Sequence, residues 1–120
     1  MGLILVVDDE QDAGRLMQRV LSASGHEVCA IGDPEEAINW LRKNTPDLVL
    51  LDIKLKGKSG ISVLEYLRGC NLKTKVVMVT GYPSAETRNK AMDFGVQEYL
   101  IKPIEIDELE SRVNKLLEAG

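Results

Sequence analysis

The chain is 120 residues long, 44% hydrophobic and 28% charged, and carries a formal net charge of −4. That length suits one domain with a single core between helical layers and leaves no room for a second. An acidic balance without a block of Lys or Arg argues against direct contact with nucleic acid or an anionic membrane.

The first apolar run, Leu3 to Val7, ends on Asp8 and Asp9. It lacks a basic leader and meets three acids, so it reads as a buried strand and not as a signal peptide, which points to the cytoplasm. Helical spacing follows, with Ala13, Leu16, Met17, Val20 and Leu21 on one face and a stop near Gly25. Glu27 to Ile31 is a second, weaker strand. Asp33-Pro34-Glu35-Glu36 supplies an N-cap, a proline at the first helical position and a glutamate set to close a capping box. A helix to about Asn44 follows, with Pro46 enforcing the stop. Leu48 to Leu51 runs into Asp52, and a loop of Lys and Gly, Lys54 to Lys58, leads to a helix with Ile61, Leu64 and Leu67 inward, ended by Gly69. Val76 to Val79 runs into Thr80. The segment Ser84 to Met92 is helix-competent, but its apolar stripe, mainly Ala85, Ala91 and Met92, predicts a loosely held element. Tyr99 to Ile101 runs into Lys102. The last helix, about Asp107 to Glu118, buries Leu109, Val113, Leu116 and Leu117 and offers Asp107 and Glu110 as a capping pair. Cys29 and Cys70 read as isolated thiols, and the single histidine, His26, argues against a zinc site or an imidazole base.

Continuous aliphatic runs bounded by polar residues mark strands buried on both faces. Alternating with helices, they imply a parallel sheet wound right-handedly with helices on both sides, five βα units in all. Parallel strands share a direction, so Asp8, Asp9, Asp52, Thr80 and Lys102 gather along the edge where open α/β sheets bind ligands. Paired carboxylates with a third from a neighbouring strand form a hard-oxygen site of the kind Mg²⁺ favours, and Lys102 is the protein's own offset to their repulsion. Alone, Asp8 and Asp9 would read as helix caps, Thr80 as a turn residue and Lys102 as a solvated charge; their companions give them weight. Asp52, emerging after four aliphatic residues, is the candidate nucleophile, because a carboxylate can accept a phosphoryl group as an acyl phosphate. Thr80 could donate its hydroxyl to that phosphate.

Val7-Asp8-Asp9-Glu10, Leu51-Asp52, Val79-Thr80-Gly81 and Tyr99-Leu100-Ile101-Lys102-Pro103, in that order across the whole chain, resemble the receiver domain of two-component response regulators. The resemblance implies a flavodoxin-like, doubly wound (βα)5 sheet with strand order 2-1-3-4-5. It implies phosphorylation of Asp52 from a phosphohistidine on a sensor histidine kinase or phosphotransfer protein. It also implies a site for Mg²⁺, or Mn²⁺, built from Asp9, Asp52 and the main-chain carbonyl of Lys54, with Asp8 acting through water. Thr80 and Tyr99 would shift together when phosphate binds, and the Lys102–Pro103 peptide would be cis. The output face would comprise the helix over 84–92, the Tyr99 strand and the last helix, and could support a phosphorylation-dependent dimer. Such a module is a switch that promotes its own phosphorylation and dephosphorylation, not an enzyme. Gly14, Arg15 and Gln18, read as outward on the first helix, and Ile104 after Pro103 would dock the kinase.

Two departures stand out. Lys56 replaces a proline common in the family, and Lys54 and Tyr82 lie two residues beyond Asp52 and Thr80, beside the family's route for hydrolytic water. Their bulk predicts slow loss of phosphate. Enzymes of the haloacid dehalogenase type use similar chemistry, but their nucleophile leads the chain with a second acid two residues on, where this chain has Lys54. A nucleotide or flavin carrier needs a glycine cradle that Asp8-Asp9-Glu10-Gln11 does not provide. The remaining alternative is a pseudo-receiver that binds partners without phosphorylation, and the full set Asp8, Asp9, Asp52, Thr80 and Lys102 argues against it.

Overall fold

Strand runs this rich in aliphatic residues need cover on both faces, and they find it in the computed structural model, which describes residues 2–55, 58–70, 74–81 and 83–118. The parallel strands are β1 (Leu3–Val7), β2 (Glu27–Ile31), β3 (Leu48–Leu51), β4 (Lys75–Thr80) and β5 (Glu98–Ile101). Their spatial order is β2-β1-β3-β4-β5, the flavodoxin-like order 2-1-3-4-5 expected from the sequence. Helices α1 (Gln11–Ala23), α2 (Pro34–Leu41), α3 (Ile61–Gly69), α4 (Ala85–Asp93) and α5 (Ile106–Glu118) complete the chain.

The two-residue period of a strand divides the runs between two cores. Leu5, Val7, Val49, Leu51, Val76 and Met78 face α2, α3 and α4. Ile4, Val6, Leu48, Leu50, Val77 and Val79 face α1 and α5. None of these side chains is more than 4% exposed, which is why the runs carry no polar alternation.

Asp33 caps α2 as its sequence predicts, accepting from the N–H groups of Glu35 (3.0 Å) and Glu36 (3.1 Å). That helix stops at Leu41 and not near Asn44, whose side-chain amide instead donates to the Trp40 carbonyl (2.9 Å) and closes the end. In α1 the buried stripe is Gly14, Met17 and Leu21. Gly14 is therefore not outward as its spacing suggested, and Leu16, expected inside, is 47% exposed. The physical reason is rotation: α1 lies over β2 with Gly14 facing Ala30, where a Cβ would sit 3.8 Å from the Ala30 Cβ. In α4 only Ala91 is buried, while Ala85 and Met92 face solvent.

Helix α5 begins at Ile106, with Leu109 N–H bonded to the Glu105 carbonyl (3.0 Å), so Asp107 lies inside the first turn. The expected Asp107–Glu110 cap gives way to a bond from the Ser24 hydroxyl to Glu110. The Lys and Gly loop after Asp52 contains a small antiparallel hairpin, Lys54–Leu55 against Lys58–Ser59, too short to leave a periodic signal in the sequence. Cys29 and Cys70 are free thiols. Among the described residues no helix is long and apolar enough to cross a membrane.

Candidate functional site

Strand register assembles the site. Val7 pairs with Leu51, so Asp8 and Asp52 leave the sheet side by side, and the Asp52 N–H still donates to the Val7 carbonyl (2.9 Å). Asp8 N–H is held by the Ile31 carbonyl (3.1 Å). On the other flank Thr80 pairs with Ile101, and Lys102 N–H donates to the Thr80 carbonyl (2.8 Å). Asp8, Asp52 and Thr80 are buried, and Asp9 is half-buried.

Lys102 bridges the acids. Its ammonium donates to Asp8 Oδ2 at 2.9 Å and to Asp52 Oδ2 at 3.0 Å, with the carboxylates only 3% and 7% exposed. Burial pulls the Lys102 pKa down, but the hydrogen bonds to Asp8 and Asp52, joined by the charges of both, outweigh it and hold the group above the ordinary lysine value. Asp8 Oδ1 accepts from the Glu10 N–H (2.9 Å), which fixes the orientation of that carboxylate. Asp8, Asp9 and Asp52 can each offer one oxygen such that all three lie within 4.8 Å of one another. Hard oxygens at this spacing suit a divalent cation such as Mg²⁺.

Gly60 supports Asp52 from behind. Its N–H donates to the Ile53 carbonyl (2.5 Å), and a Cβ at this position would lie 1.9 Å from the Asp52 carbonyl oxygen. With φ at −69° the backbone admits any residue, so space alone requires glycine here. Sequence reasoning passed over it, since a glycine at a loop end carries no chemical signature.

Tyr99 is half-buried on the α4 side of the sheet, its hydroxyl 3.4 Å from Thr87 Oγ1. The Lys102–Pro103 peptide is cis. Lys54 opens the hairpin two residues beyond Asp52. Lys56, Tyr82 and the Lys54 side chain lie outside the described residues. The anticipated docking set divides. Gly14 is buried, Gln18 Nε2 donates to the Val28 carbonyl (3.0 Å), and Arg15 is exposed on the cleft between α1 and α2. Ile104 instead lines a largely apolar groove of about 620 Å³ with Leu16, Met17 and Lys102. Leu16 escaped notice because helical spacing placed it on the buried stripe.

An acidic pocket lies at the carboxyl edge of a 2-1-3-4-5 sheet, bridged by a lysine ahead of a cis proline, and comparison with known proteins gives that architecture a family. The family profile for the response regulator receiver domain matches residues 4–114, and the chain belongs to that family. It is 34% identical over 110 residues to the transcriptional regulatory protein DltR of Streptococcus agalactiae serotype III (strain NEM316), across 92% of this chain and 49% of that protein. It is 33% identical over 114 residues to the transcriptional regulatory protein ZraR of Escherichia coli (strain K12), across 95% of this chain and 26% of that protein. The chain thus spans about half or a quarter of the length of these curated relatives. Among solved structures it is similar to the CheY-like receiver domain protein from Methanospirillum hungatei JF-1, with a TM-score of 0.91 and 27% identity over 100% of this chain and 99% of that one. The receiver domain of NtrX from Brucella abortus gives a TM-score of 0.86 at 34% identity, over 98% and 99% of the two chains.

Proposed function

We propose that this chain takes a phosphoryl group onto Asp52 from a phosphohistidine on a sensor histidine kinase or phosphotransfer protein, in the cytoplasm, and acts as a switch and not as an enzyme on a separate substrate. The observation that carries the reading is the Lys102 ammonium shared between Asp8 and Asp52 beside three convergent carboxylate oxygens. In the transfer an Asp52 oxygen attacks phosphorus. The new O–P bond forms as the P–N bond to imidazole breaks, and the imidazole leaves with the bonding pair. Lys102 orients Asp52 for attack and remains held by Asp8 when its other contact passes to a phosphoryl oxygen. Asp8, Asp9, Asp52 and the Lys54 carbonyl would hold Mg²⁺ or Mn²⁺, which when bound supplies positive charge to offset that of the transferring group.

Thr80, ending the neighbouring strand, would then donate its hydroxyl to the phosphate, and Tyr99 would follow, altering its contact with Thr87 on α4. A phosphate adds roughly two negative charges and strong acceptors, enough to bias an element held by a few kcal/mol. The face formed by α4, β5 and α5 would transmit the change, as an output contact or a phosphorylation-dependent dimer. The relatives' greater length supports a separate output domain, and their names as transcriptional regulatory proteins indicate its kind. Ile104 and Leu16, beside Lys102, offer an apolar anchor for the donor protein. Lys54 and Tyr82 would slow hydrolysis, so Lys54→Asn should shorten the phosphate's lifetime.

The test is intact mass after incubation with acetyl phosphate and Mg²⁺. The parent should gain about one phosphoryl group, and Asp52→Ala should gain none. No gain in the parent would redirect the function to phosphate-independent partner binding.

A further inference from the structure

The two ends of α4 are held differently. At its C-terminal end the chain turns on Gly95 (φ 74°), whose N–H donates to the Met92 carbonyl (3.0 Å), while Val96 N–H reaches the Ala91 carbonyl (3.3 Å). Ala91 and Val96 are buried, and Phe94 packs on the same core. Arg68, in the last turn of α3, grips this end. Its Nε donates to the Phe94 carbonyl (2.7 Å), Nη1 to the Thr74 carbonyl just ahead of β4 (3.0 Å), and Nη2 to the Gly95 carbonyl (3.5 Å). The rigid fork of a guanidinium suits carbonyls set side by side, and its charge faces the negative end of the helix. Gln97 adds a two-way bond to β4, N–H to the Val76 carbonyl (2.9 Å) and Oε1 from the Val76 N–H (2.7 Å).

The other end is exposed from Ser84 to Lys90 apart from half-buried Thr87. Its cap is closed within the helix: Thr87 N–H donates to Ser84 Oγ (3.1 Å), and Thr87 Oγ1 donates to the Ser84 carbonyl (3.2 Å). Such a cap travels with its helix, so this end can swing without breaking its own hydrogen bonds. Among the described residues its side-chain tie to the sheet is the 3.4 Å contact between the Thr87 and Tyr99 hydroxyls.

We propose that Arg68 is a positioning residue that pins the C-terminal end of α4 and makes the helix a lever, with the Ser84 end swinging while Phe94 to Val96 stay fixed. The proposal rests on the switch reading for what drives the swing, not for where the pivot lies.

Amide exchange in the unphosphorylated chain tests the pin alone. Arg68→Gln should speed exchange at Gly95 and Val96 about tenfold and leave Val77 to Val79 unchanged, with Arg68→Lys, which keeps the charge without the fork, falling between. Equal acceleration throughout, or none at Gly95 and Val96, would overturn the proposal. The swing is read with a nitroxide on exposed Cys70, just past α3, in a Cys29→Ser chain, from the paramagnetic relaxation of α4 amides before and after acetyl phosphate with Mg²⁺. Relaxation should change at Ala85 to Arg88 and hold at Phe94 to Val96, and in Arg68→Gln it should change at both ends. Equal change at both ends of the parent would sink the lever. Intact mass from the same sample separates the two failures, because a chain that gains no phosphoryl group refutes the switch reading while exchange still decides the pin.

Discussion

Helices α4 and α5 both flank the edge strand β5, yet α5 buries Leu109 and Val113 whereas α4 buries Ala91 alone. Side chains tie α5 down along its length. Glu110 accepts from the Ser24 hydroxyl, the Leu116 carbonyl accepts from the Lys75 ammonium, and Arg112 pairs with Glu98 on β5. His26 Nδ1 accepts from the Gly2 N–H (3.1 Å), so its Nε2 carries the proton and donates to Asn114 Oδ1 (2.7 Å). A regulatory event offers about 1–3 kcal/mol of coupling, enough to move an element held by few contacts and too little to strip α5 from the sheet. One flank of β5 is thus tied along its length, while the other is tied at the Gly95 end and only lightly at the Ser84 end.

The sharpest way to break that contrast is to compare truncations. Leu109→Ala should cost about 3 kcal/mol in urea unfolding, and Met92→Ala less than about 0.5 kcal/mol. Similar costs would mean that α4 is as firmly packed as α5. A cation at the site should act on the whole fold. Mg²⁺ at tenfold its Kd should raise global stability by about 1.4 kcal/mol, visible as slower exchange in α5, while local opening of α4 keeps its rate. Asp9→Asn should weaken that response. Asn114→Ala, which leaves His26 without its acceptor, should cost about 1 kcal/mol in unfolding. Smallest in global terms is Ser84→Ala. Its loss, about 1 kcal/mol of helix stability, should appear as faster exchange at Thr87 and Arg88 with the unfolding midpoint scarcely moved.

The sheet was legible because burial on both faces leaves aliphatic runs unbroken, and the site was legible because each run stops on a residue with chemistry. Asp8, Asp52 and Lys102 meet as the strand ends required. The thin apolar stripe of α4 was visible too, since Ala85, Ala91 and Met92 make it up. Helical periodicity gives the width of a buried stripe but not the helix's rotation over the sheet, hence the exchange of Leu16 for Gly14. Arg68 and Thr87 act through partners far along the chain, and no local pattern announces them.

Gly60 stands at the N-cap of α3, where Ser, Thr, Asn or Asp would serve a helix better. The residues that local preference favours are the ones the Asp52 carbonyl has no room for. Capping has moved one residue upstream instead, with the Ser59 hydroxyl accepting from the Ile61 N–H (3.2 Å). Tolerance of substitution at position 60 is therefore set by the volume behind Asp52 and not by helix propensity, and a change chosen to improve α3 would be read out as a displaced aspartate.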